Sequence, residues 1–335
     1  MRILVTGSAG FIGFHMARRL LREGHNIVGV DGITPYYDRK LKLHRHAILR
    51  QSPRFRGHEA LLEDFPALSA IYGSGFDAVY HFAAQAGVRY SLENPRAYID
   101  ANLMGTFNLL ELMRQSRPAH ALLASTSSVY GANSQIPFRE TDRADHPLTL
   151  YAASKKAAEE MSHAYSHLFN IPITVLRFFT VYGPFGRPDM ALFKFAAALF
   201  DDRPLDIYNH GNMKRDFTYI DDLVEAAFLL LCRTPEAPEA RGAPLARDSL
   251  SPVAPWRVVN IGNETPLGLL EFVAALEAAA GRKAKYNFLD MQQGDVPVTF
   301  ADSWLLRALT GFAPATPVKE GVKCFIAWYR GYFGV

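Results

Sequence analysis

The chain has 335 residues, 49% of them apolar, which is enough to bury a sizeable core in one large domain or two smaller ones. Its 36 Lys and Arg residues nearly balance 33 Asp and Glu residues, which gives a net charge of +3 without any dense basic run. This composition argues against nucleic acid as a partner. No membrane partner is expected either, because no apolar stretch reaches membrane-spanning length.

The first half of the chain alternates short apolar runs with longer helical patterns. The apolar runs predict strands at 2–7, 26–31, 77–83, 120–126 and 171–179. Between them, helices are predicted at 12–23, 65–72, 93–115 and 151–169. Continuous apolar runs are typical of strands buried on both faces, and strand–helix alternation implies right-handed crossovers. We therefore predict an α/β fold with a doubly wound parallel sheet of the Rossmann type.

The pattern changes near Thr180. A Gly/Pro-rich loop is followed by a helical pattern at 191–200 and by an Asp-rich helix entry before an apolar run. A Pro/Ala-rich stretch over 234–252 predicts an exposed flexible loop. A last strand at 257–262 precedes helices near 266–280 and 318–331, which predict a smaller C-terminal lobe. The predicted Rossmann domain spans 1–179, with 219–262 returning to it, and the lobe comprises 180–218 and 263–335.

The two cysteines follow neither a disulfide nor a metal-binding spacing. Cys232 and Cys324 each lie in an apolar context and are expected to be small buried residues. No metal site is predicted. Unpaired cysteines favour a reducing, cytoplasmic location.

Three glycines separate the first predicted strand from the first helix in "VTGSAGFIG". Gly7 permits a tight turn, Gly10 lets the backbone approach a pyrophosphate, and Gly13 lets helix and strand pack closely. Asp31 ends the second strand, where an acid meets the ribose hydroxyls of an adenine dinucleotide. Because Asp31 would repel a 2′-phosphate, NAD is predicted as the cofactor rather than NADP.

Tyr151 and Lys155 in "YAASK" are placed by a helix on one face, one turn apart. An ammonium group beside a phenol stabilises the phenolate, which makes such a tyrosine a general base or acid toward a secondary alcohol. Just before this helix, the strand over 120–126 runs into a row of hydroxyls in "STSSVYG". These hydroxyls could bind a ligand or could cap the turn that follows.

Taken together, these motifs resemble the extended short-chain dehydrogenases/reductases, and within them the NAD-dependent nucleotide-sugar epimerase/dehydratase family. The matching segments cover essentially the whole chain: "TGSAGFIG", "HFAAQAGV", "STSSVYG", "YAASK", "RFFTVYGPFGRPDM" and "KRDFTYIDD". Four segments are similar to the UDP-glucuronate 4-epimerases in particular: "AAQAGVRYSLENP", "TVYGPFGRPDMALF", "MKRDFTYIDD" and "GDVPVTFAD". The resemblance implies an isomerase that converts UDP-glucuronate to UDP-galacturonate through a transient 4-keto sugar. It also implies a homodimer formed by the helices near 93–115 and 151–169.

The same resemblance implies roles for individual residues. Tyr151 is the base on the sugar 4-hydroxyl, Lys155 lowers the tyrosine pKa and holds the nicotinamide ribose, and Thr126 is the third catalytic hydroxyl. The implied cofactor-binding residues are Gly7, Gly10, Phe11, Ile12, Gly13, Asp31 and Lys155. The implied substrate-binding residues are Ser127, Ser128, Thr180, Arg89, Arg187, Arg215 and Asp295, with Arg187 and Arg215 meeting uridine and diphosphate.

The hydroxyl row bears on which reaction is catalysed. A 4-keto glucuronate carries its carboxylate beta to the ketone and readily loses carbon dioxide. Hydroxyl donors could hold the carboxylate out of alignment with the ketone and keep it solvated, and Thr126, Ser127, Ser128 and Thr180 are the candidates. Ser127 and Ser128 also stand where the sugar 4,6-dehydratases carry an Asp–Glu pair, which disfavours dehydration.

Three alternatives remain open from the sequence. A UDP-glucuronate decarboxylase or a neutral UDP-sugar 4-epimerase would use the same fold. A nucleotide-binding sensor without turnover is disfavoured, because a sensor needs no activated tyrosine. One position departs from the family: Leu61 stands where relatives carry the acid that reads the adenine. Its neighbours Glu59, Glu63 and Asp64 could take that role, and the sequence does not choose among them.

Overall fold

The structure, a computed structural model, describes residues 1–243 and 245–335. The strands of its central sheet are β1 (Arg2–Thr6), β2 (Asn26–Asp31), β3 (Phe55–Glu59), β4 (Ala78–His81), β5 (His120–Thr126), β6 (Ile173–Phe178) and β10 (Trp256–Ile261). They lie in the order β10-β6-β5-β4-β1-β2-β3, and each is parallel to its neighbours. The predicted doubly wound parallel sheet is confirmed, and the strand order reverses between β1 and β4.

The sheet is buried on both faces, and the first strand shows how. Ile3 and Val5 belong to one apolar cluster, whereas Leu4 between them belongs to another, and all three side chains are 0% exposed. Because side chains alternate along a strand, a continuous apolar run supplies both clusters at once. Helices cover these faces: α1 (Phe11–Arg22), α2 (Arg39–Leu49), α3 (Phe65–Tyr72), α4 (Tyr90–Glu93), α5 (Pro95–Tyr98), α6 (Gly105–Gln115), α7 (Leu150–Phe169) and α9 (Ile220–Leu230).

Two smaller sheets belong to the second half of the chain. β7 (Thr180–Tyr182) pairs with β9 (Lys214–Tyr219), which pairs antiparallel with β11 (Pro266–Gly268). β8 (Leu205–Tyr208) pairs with β12 (Tyr286–Leu289). Since β7 starts two residues after β6 ends, these strands continue from the carboxyl edge of the main sheet. The remaining helices are α8 (Ala191–Phe200), α10 (Leu269–Ala280), α11 (Trp304–Thr310) and α12 (Val318–Phe333).

Among the central strands and the helices that cover them, two were missed in the sequence, and both are rich in polar residues. The short strands of the two smaller sheets and α11 were not predicted either. α2 has the sequence "RKLKLHRHAIL" and buries Lys42, Arg45 and His46 beside two leucines, so its inner face does not show an apolar stripe. β3 has the sequence "FRGHE" and lies at the edge of the sheet. An edge strand is only partly covered, and its sequence therefore lacks the apolar run by which the others were recognised.

Several other expectations are corrected. The single helix predicted at 93–115 is divided into α4, α5, a π-helical segment over Ile99–Met104, and α6. Cys232 and Cys324 are exposed rather than buried. The expectation of an exposed loop over 234–252 is confirmed for residues 234–243 and 245–252, which form no helix or strand and are mostly exposed or half-buried, while position 244 lies outside the described residues. Asp248 in this loop is anchored to β10 by an ion pair of 2.8 Å with Arg257. No helix in the described ranges combines the length and the apolar character needed to cross a lipid bilayer.

Candidate active site

A first cavity lies at the carboxyl ends of β1, β2 and β4, and the glycine turn forms one wall of it. Gly7 has a φ of +73°, and a Cβ at this position would lie 2.7 Å from the backbone that follows β4. A Cβ on Gly13 would lie 2.1 Å from the Gly7 carbonyl oxygen, so α1 packs directly on the turn. Because Gly10 has no side chain to cap α1, the backbone amides in the first turn of α1 are available to an anion. Phe11 and Ile12 in that turn line the cavity.

Asp31 is buried at the end of β2 and lines the same cavity. Its two carboxylate oxygens accept hydrogen bonds from the Ala9 amide at 3.0 Å and the Ile33 amide at 2.9 Å. Each oxygen can accept a further bond, so the carboxylate is held rigidly and can still receive ribose hydroxyls. Lys42, which sequence reasoning missed, also lines this cavity and donates to the Thr34 carbonyl at 2.8 Å.

The far end of this cavity holds the position that departs from the family. Leu61 is 43% exposed and lines the cavity. Of the neighbouring acids, Glu59 pairs with Arg39 at 3.2 Å, and Asp64 accepts the Ala67 amide at 3.1 Å as the N-cap of α3. Glu63 is the one of the three that lines the cavity. The cavity wall here is thus apolar at Leu61, with Glu63 as the nearby acid.

Tyr151 and Lys155 lie in the first turns of α7 and line the first cavity. The Thr149 hydroxyl caps this helix by accepting the Ala152 amide at 3.2 Å. Burial raises the pKa of the Tyr151 phenol, whereas the Arg187 guanidinium and a hydrogen bond with the Thr126 hydroxyl lower it. Burial lowers the pKa of Lys155 to about 8, although a nearby carboxylate opposes that shift. Burial and neighbouring charge thus act in opposite directions on each of the two groups, so proton transfer here is sensitive to the surrounding charges.

The hydroxyl row opens onto a second, larger cavity of about 1000 Å³, which also contains Tyr151. Thr126 accepts the Ser128 amide at 3.2 Å, so it caps the 3₁₀ turn over Ser127–Tyr130. Capping does not remove it from the cavity, because the side chains of the row line it together with Thr180. Ser125 points its hydroxyl the other way and donates to Glu159 at 2.5 Å. The structure brings together the four predicted hydroxyls: Thr126, Ser127, Ser128 and Thr180.

The predicted arginines do not form one group. Arg89 pairs with Asp295 at 3.0 Å, and the Asp295 charge also acts on Arg215, so these three residues lie together at one end of the larger cavity. Arg187 instead lies beside Tyr151 and lines both cavities. The contact of Arg187 with uridine and diphosphate stays a prediction, and the sequence carried no signal for its position beside Tyr151.

His81 lies close to the site but has a structural environment. Its two ring nitrogens are 2.9 Å from the hydroxyls of Thr6 and Thr106. Burial lowers its pKa to about 3, so the imidazole is neutral. Within residues 1–243 and 245–335, no cluster of three or more His, Cys, Asp or Glu side chains is arranged to hold a metal ion.

Comparison with known proteins agrees with this geometry. A family model described as "NAD dependent epimerase/dehydratase family" matches residues 3–241. The chain belongs to this epimerase/dehydratase family. It is 59% identical to a probable UDP-glucuronate 4-epimerase of Rhizobium meliloti over 98% of this chain and 97% of the relative. It is 42% identical to UDP-glucuronate 4-epimerase 1 of Arabidopsis thaliana, over 99% of this chain and 77% of the relative.

A solved structure has the same fold as this chain over its whole length. The UDP-glucuronic acid 4-epimerase of Bacillus cereus, in complex with UDP-glucuronic acid and NAD, superimposes with a TM-score of 0.86. It is 32% identical in sequence, and the match covers 99% of this chain and 100% of the other. The predicted membership of the NAD-dependent epimerase/dehydratase family is confirmed.

Proposed function

We propose that the protein converts UDP-glucuronate to UDP-galacturonate by inverting carbon 4, with NAD as the resident cofactor. The observation that carries this proposal is that the two cavities share part of their walls. They share Tyr151, so one tyrosine faces both a dinucleotide site and a pocket lined by hydroxyls. The relatives named above support the same substrate, because one is a probable UDP-glucuronate 4-epimerase from a bacterium and the other a UDP-glucuronate 4-epimerase from a plant.

The first cavity fits NAD. The glycine turn leaves a concave surface that a Cβ would fill, and its first-turn amides suit a pyrophosphate. The buried carboxylate of Asp31 suits two ribose hydroxyls and opposes a 2′-phosphate. When bound, NAD supplies the acceptor, and then the donor, of the hydride at carbon 4 of the sugar.

Tyr151 provides the proton chemistry in this proposal. As a phenolate it accepts the proton of the sugar 4-hydroxyl, and as a phenol it returns a proton to the same oxygen when the 4-ketone is reduced. Lys155, one turn along α7, favours the phenolate by its charge and is placed to hold a ribose. The Thr126 hydroxyl lowers the pKa of the Tyr151 phenol and is placed to stabilise the same oxygen. Tyr151, Lys155 and Thr126 therefore return to their starting protonation states at the end of each catalytic cycle.

The hydroxyl row restrains the carboxylate. Ser127, Ser128 and Thr180 line the cavity with Thr126, and none of these side chains carries a charge that would drive carboxylate expulsion. Hydrogen-bonded in this way, the carboxylate keeps polar partners after it leaves water. The bond to carbon dioxide then stays out of alignment with the 4-ketone, and inversion competes successfully with decarboxylation.

The nucleotide end is assigned to the opposite side of the larger cavity. Arg89 and Arg215 provide guanidinium donors that match diphosphate oxygens, and Asp295 can accept from the ribose hydroxyls. Most of these groups lie in the segments 180–218 and 263–335, which we propose as the UDP-sugar-binding lobe. The remaining segments, 1–179 and 219–262, form the proposed NAD-binding domain.

Product analysis tests the proposed reaction. Purified protein is incubated with UDP-glucuronate, and the nucleotide sugars are separated and identified by mass spectrometry and NMR. We expect UDP-galacturonate without net reduction of added NAD, because the hydride returns to the sugar. Release of carbon dioxide with a UDP-pentose would instead identify a decarboxylase. Turnover of UDP-glucose alone would identify a neutral epimerase, and tight binding without turnover would identify a sensor.

The glycine turn yields a prediction about cofactor retention. Gly13→Ala places a methyl group 2.1 Å from the Gly7 carbonyl oxygen, so α1 must move away from the turn. Such overpacking costs about 1–3 kcal/mol, and we expect NAD affinity to fall by about tenfold or more. NAD is quantified by mass spectrometry of the denatured protein and by calorimetric titration. Gly331→Ala on α12 is the control, since its added Cβ has no described neighbour within 4 Å apart from the adjacent residues and the backbone of its own helix. Equal NAD retention by both variants would refute the prediction.

The hydroxyl row yields a prediction about product identity. Thr126→Ala, Ser127→Ala and Thr180→Ala are each expected to slow epimerisation by about tenfold, since a hydrogen bond to a charged group contributes about 1.5–3 kcal/mol. Each should also raise the share of UDP-pentose, because a loosened carboxylate can reach the aligned geometry. The ratio of pentose to UDP-galacturonate is measured by mass spectrometry. Ser134→Ala, an exposed hydroxyl outside the cavity, should leave both quantities unchanged. An unaltered ratio in the three folded variants would place the carboxylate elsewhere.

We also propose that the protein is a homodimer formed through α6 and α7. Met104, Phe107 and Leu168 are 46%, 39% and 67% exposed, and Phe107 lies 6.5 Å from Tyr165, so the patch joins both helices. A contiguous apolar patch of this kind favours self-association about a twofold axis. A cytoplasmic location is proposed as well, because the exposed thiols of the two cysteines would be kept reduced there.

Sedimentation tests the dimer. The wild-type protein is expected to sediment as a dimer and Phe107→Asp as a monomer, because the new carboxylate would be buried in the interface. Leu43→Asp changes a side chain of similar exposure on α2 and should remain dimeric. A monomeric wild-type protein would overturn this assignment and would leave the proposed reaction untouched.

A further inference from the structure

Arg187, which lies beside Tyr151, is bound by a carboxylate that the proposed reaction does not use. The Arg187 Nε and Nη2 atoms are 3.0 Å and 2.5 Å from the two carboxylate oxygens of Asp189, an arrangement that engages both oxygens. The two side chains are 23% and 22% exposed. Tyr36 donates its hydroxyl to the same carboxylate at 3.0 Å. All four residues line the larger cavity, so this cluster faces the site where the sugar would bind.

The backbone that carries Arg187 is held by residues of the cofactor-binding half. Arg45, which is 0% exposed, donates to the Phe185 and Gly186 carbonyls at 2.6 Å and 3.2 Å. The same guanidinium donates to the Ala9 carbonyl in the glycine turn at 2.8 Å. The backbone just before Arg187 is thus tied to the cofactor turn.

Asp189 affects the net charge that its pair with Arg187 presents to Tyr151. Burial works against ionisation of Asp189, but the Arg187 guanidinium outweighs it and lowers the pKa of that carboxyl, so the pair carries one charge of each sign. At Tyr151 the two charges act in opposite directions, because Arg187 favours the phenolate and Asp189 disfavours it. An unpaired guanidinium at this position would act on the phenol, and on a sugar carboxylate, with its full charge.

We propose that Asp189 is a positioning residue: it orients the Arg187 guanidinium beside Tyr151 and cancels part of the charge that Arg187 presents to the phenol and to a bound carboxylate. This inference deepens the proposed function and rests on it for the role of Tyr151. A bare guanidinium would form a tight two-point pair with a glucuronate carboxylate. The partly neutralised group leaves the intermediate free to turn over, which inversion at carbon 4 requires.

Tyr151 has several other titratable or charged neighbours. On its own helix α7 it has Lys155, and on α5 Tyr98 lies with its ring 6.0 Å away. His81 on β4 is the group that faces Lys155. The remaining neighbours are the cluster itself: Tyr36 after β2, and Arg187 and Asp189 after β7. Of these, Asp189 is the one whose charge can be removed while every cation in the site is kept.

The test measures the midpoint of the Tyr151 titration, which would not shift if Asp189 had only a structural role. Phenolate absorbance is titrated in the protein with bound NAD and without any sugar, and the titration of the matching Tyr151→Phe protein is subtracted. Asp189→Asn is expected to shift the midpoint to lower pH, because Arg187 then acts unopposed. Arg187→Met is expected to shift it to higher pH. The double variant Arg187→Met/Asp189→Asn is expected to lie between the two single variants, close to wild type.

Two controls separate charge from shape. Tyr36→Phe removes the hydroxyl that binds Asp189 but keeps both charges, so its midpoint should match wild type. Asp189→Glu keeps the charge and should also stay close to wild type. A folded Asp189→Asn protein with an unshifted midpoint would overturn the proposal. If that variant does not fold, the test compares the titration midpoints of Arg187→Met and of the double variant, which differ only at Asp189. Equal midpoints for these two variants would refute the proposal. Since no UDP-sugar is present, failure of the epimerase assay and failure of this titration are separate results.

Discussion

Replacing Tyr151 with phenylalanine is expected to reduce kcat by about 10²-fold or more, the usual size of the loss of a general acid–base group. The substitution deletes one oxygen atom from the face of α7 that lines both cavities. Without that oxygen, the sugar 4-hydroxyl loses the proton acceptor that the proposed reaction assigns to it. The neighbouring Thr126 hydroxyl is too weak a base to replace the phenolate.

The measurement separates binding from chemistry. Initial rates of UDP-galacturonate formation give kcat, and calorimetry gives the affinities for NAD and UDP-glucuronate, which should stay within a few-fold of wild type because no binding group is lost. Tyr165→Phe is the matched control: it is the same substitution on the same helix, at a tyrosine that bonds Glu111 and lies outside both cavities. Near-normal turnover by a folded Tyr151→Phe protein would remove Tyr151 from the mechanism.

Replacing Arg177 with methionine is expected to lower the free energy of unfolding by about 3 kcal/mol. Arg177 and Glu159 form a buried pair between β6 and α7, with nitrogen–oxygen distances of 3.0 Å and 2.8 Å and side-chain exposures of 3% and 1%. Removing the cation leaves a buried carboxylate whose remaining partners are the Ser125 hydroxyl and Lys156 at 3.4 Å. Because Lys156 compensates part of the charge, we expect the lower end of the range for a broken buried pair.

Urea denaturation measures this loss, and two further variants test its cause. Arg203→Met breaks an ion pair with Asp201 whose side chains are 61% and 60% exposed, so its cost should stay below about 1 kcal/mol. Arg177→Met combined with Glu159→Leu removes both charges and should recover much of the lost stability, since apolar replacement of a buried pair is often neutral. Equal losses for Arg177→Met and Arg203→Met would show that the buried pair has no special weight.

The buried pair also shows how the fold supports the site. Glu159 lies on α7 one turn beyond Lys155, and it fixes the Ser125 hydroxyl at the end of β5. One carboxylate thereby joins the helix that carries Tyr151 to the strand that carries the hydroxyl row. The sequence did not indicate this link, because Ser125, Glu159 and Arg177 belong to three different elements.

Features set by neighbours in the chain could be predicted from the sequence. The apolar runs predicted the parallel strands because period-two burial on both faces leaves a continuous pattern. The glycine spacing predicted the tight turn, which the positive φ of Gly7 and the contact between Gly13 and Gly7 confirm. The polar elements α2 and β3 were not predicted, since α2 buries basic side chains and β3 lies at the edge of the sheet. The prediction that Cys232 and Cys324 are buried was wrong for a related reason: apolar neighbours in the sequence do not indicate which face of a helix or loop a residue occupies.

The sequence by itself determined the parallel sheet, the dinucleotide turn and the one-turn spacing of Tyr151 and Lys155, because each depends on local pattern or helical geometry. Only the tertiary structure decided which cation meets the phenol and which acid restrains that cation. Tyr36 and Asp189 are 153 positions apart in the chain, yet their hydrogen bond of 3.0 Å helps to define the site. Such contacts arise where loops from different crossovers meet at the carboxyl edge of the sheet, and no periodicity in the chain records which loops will meet.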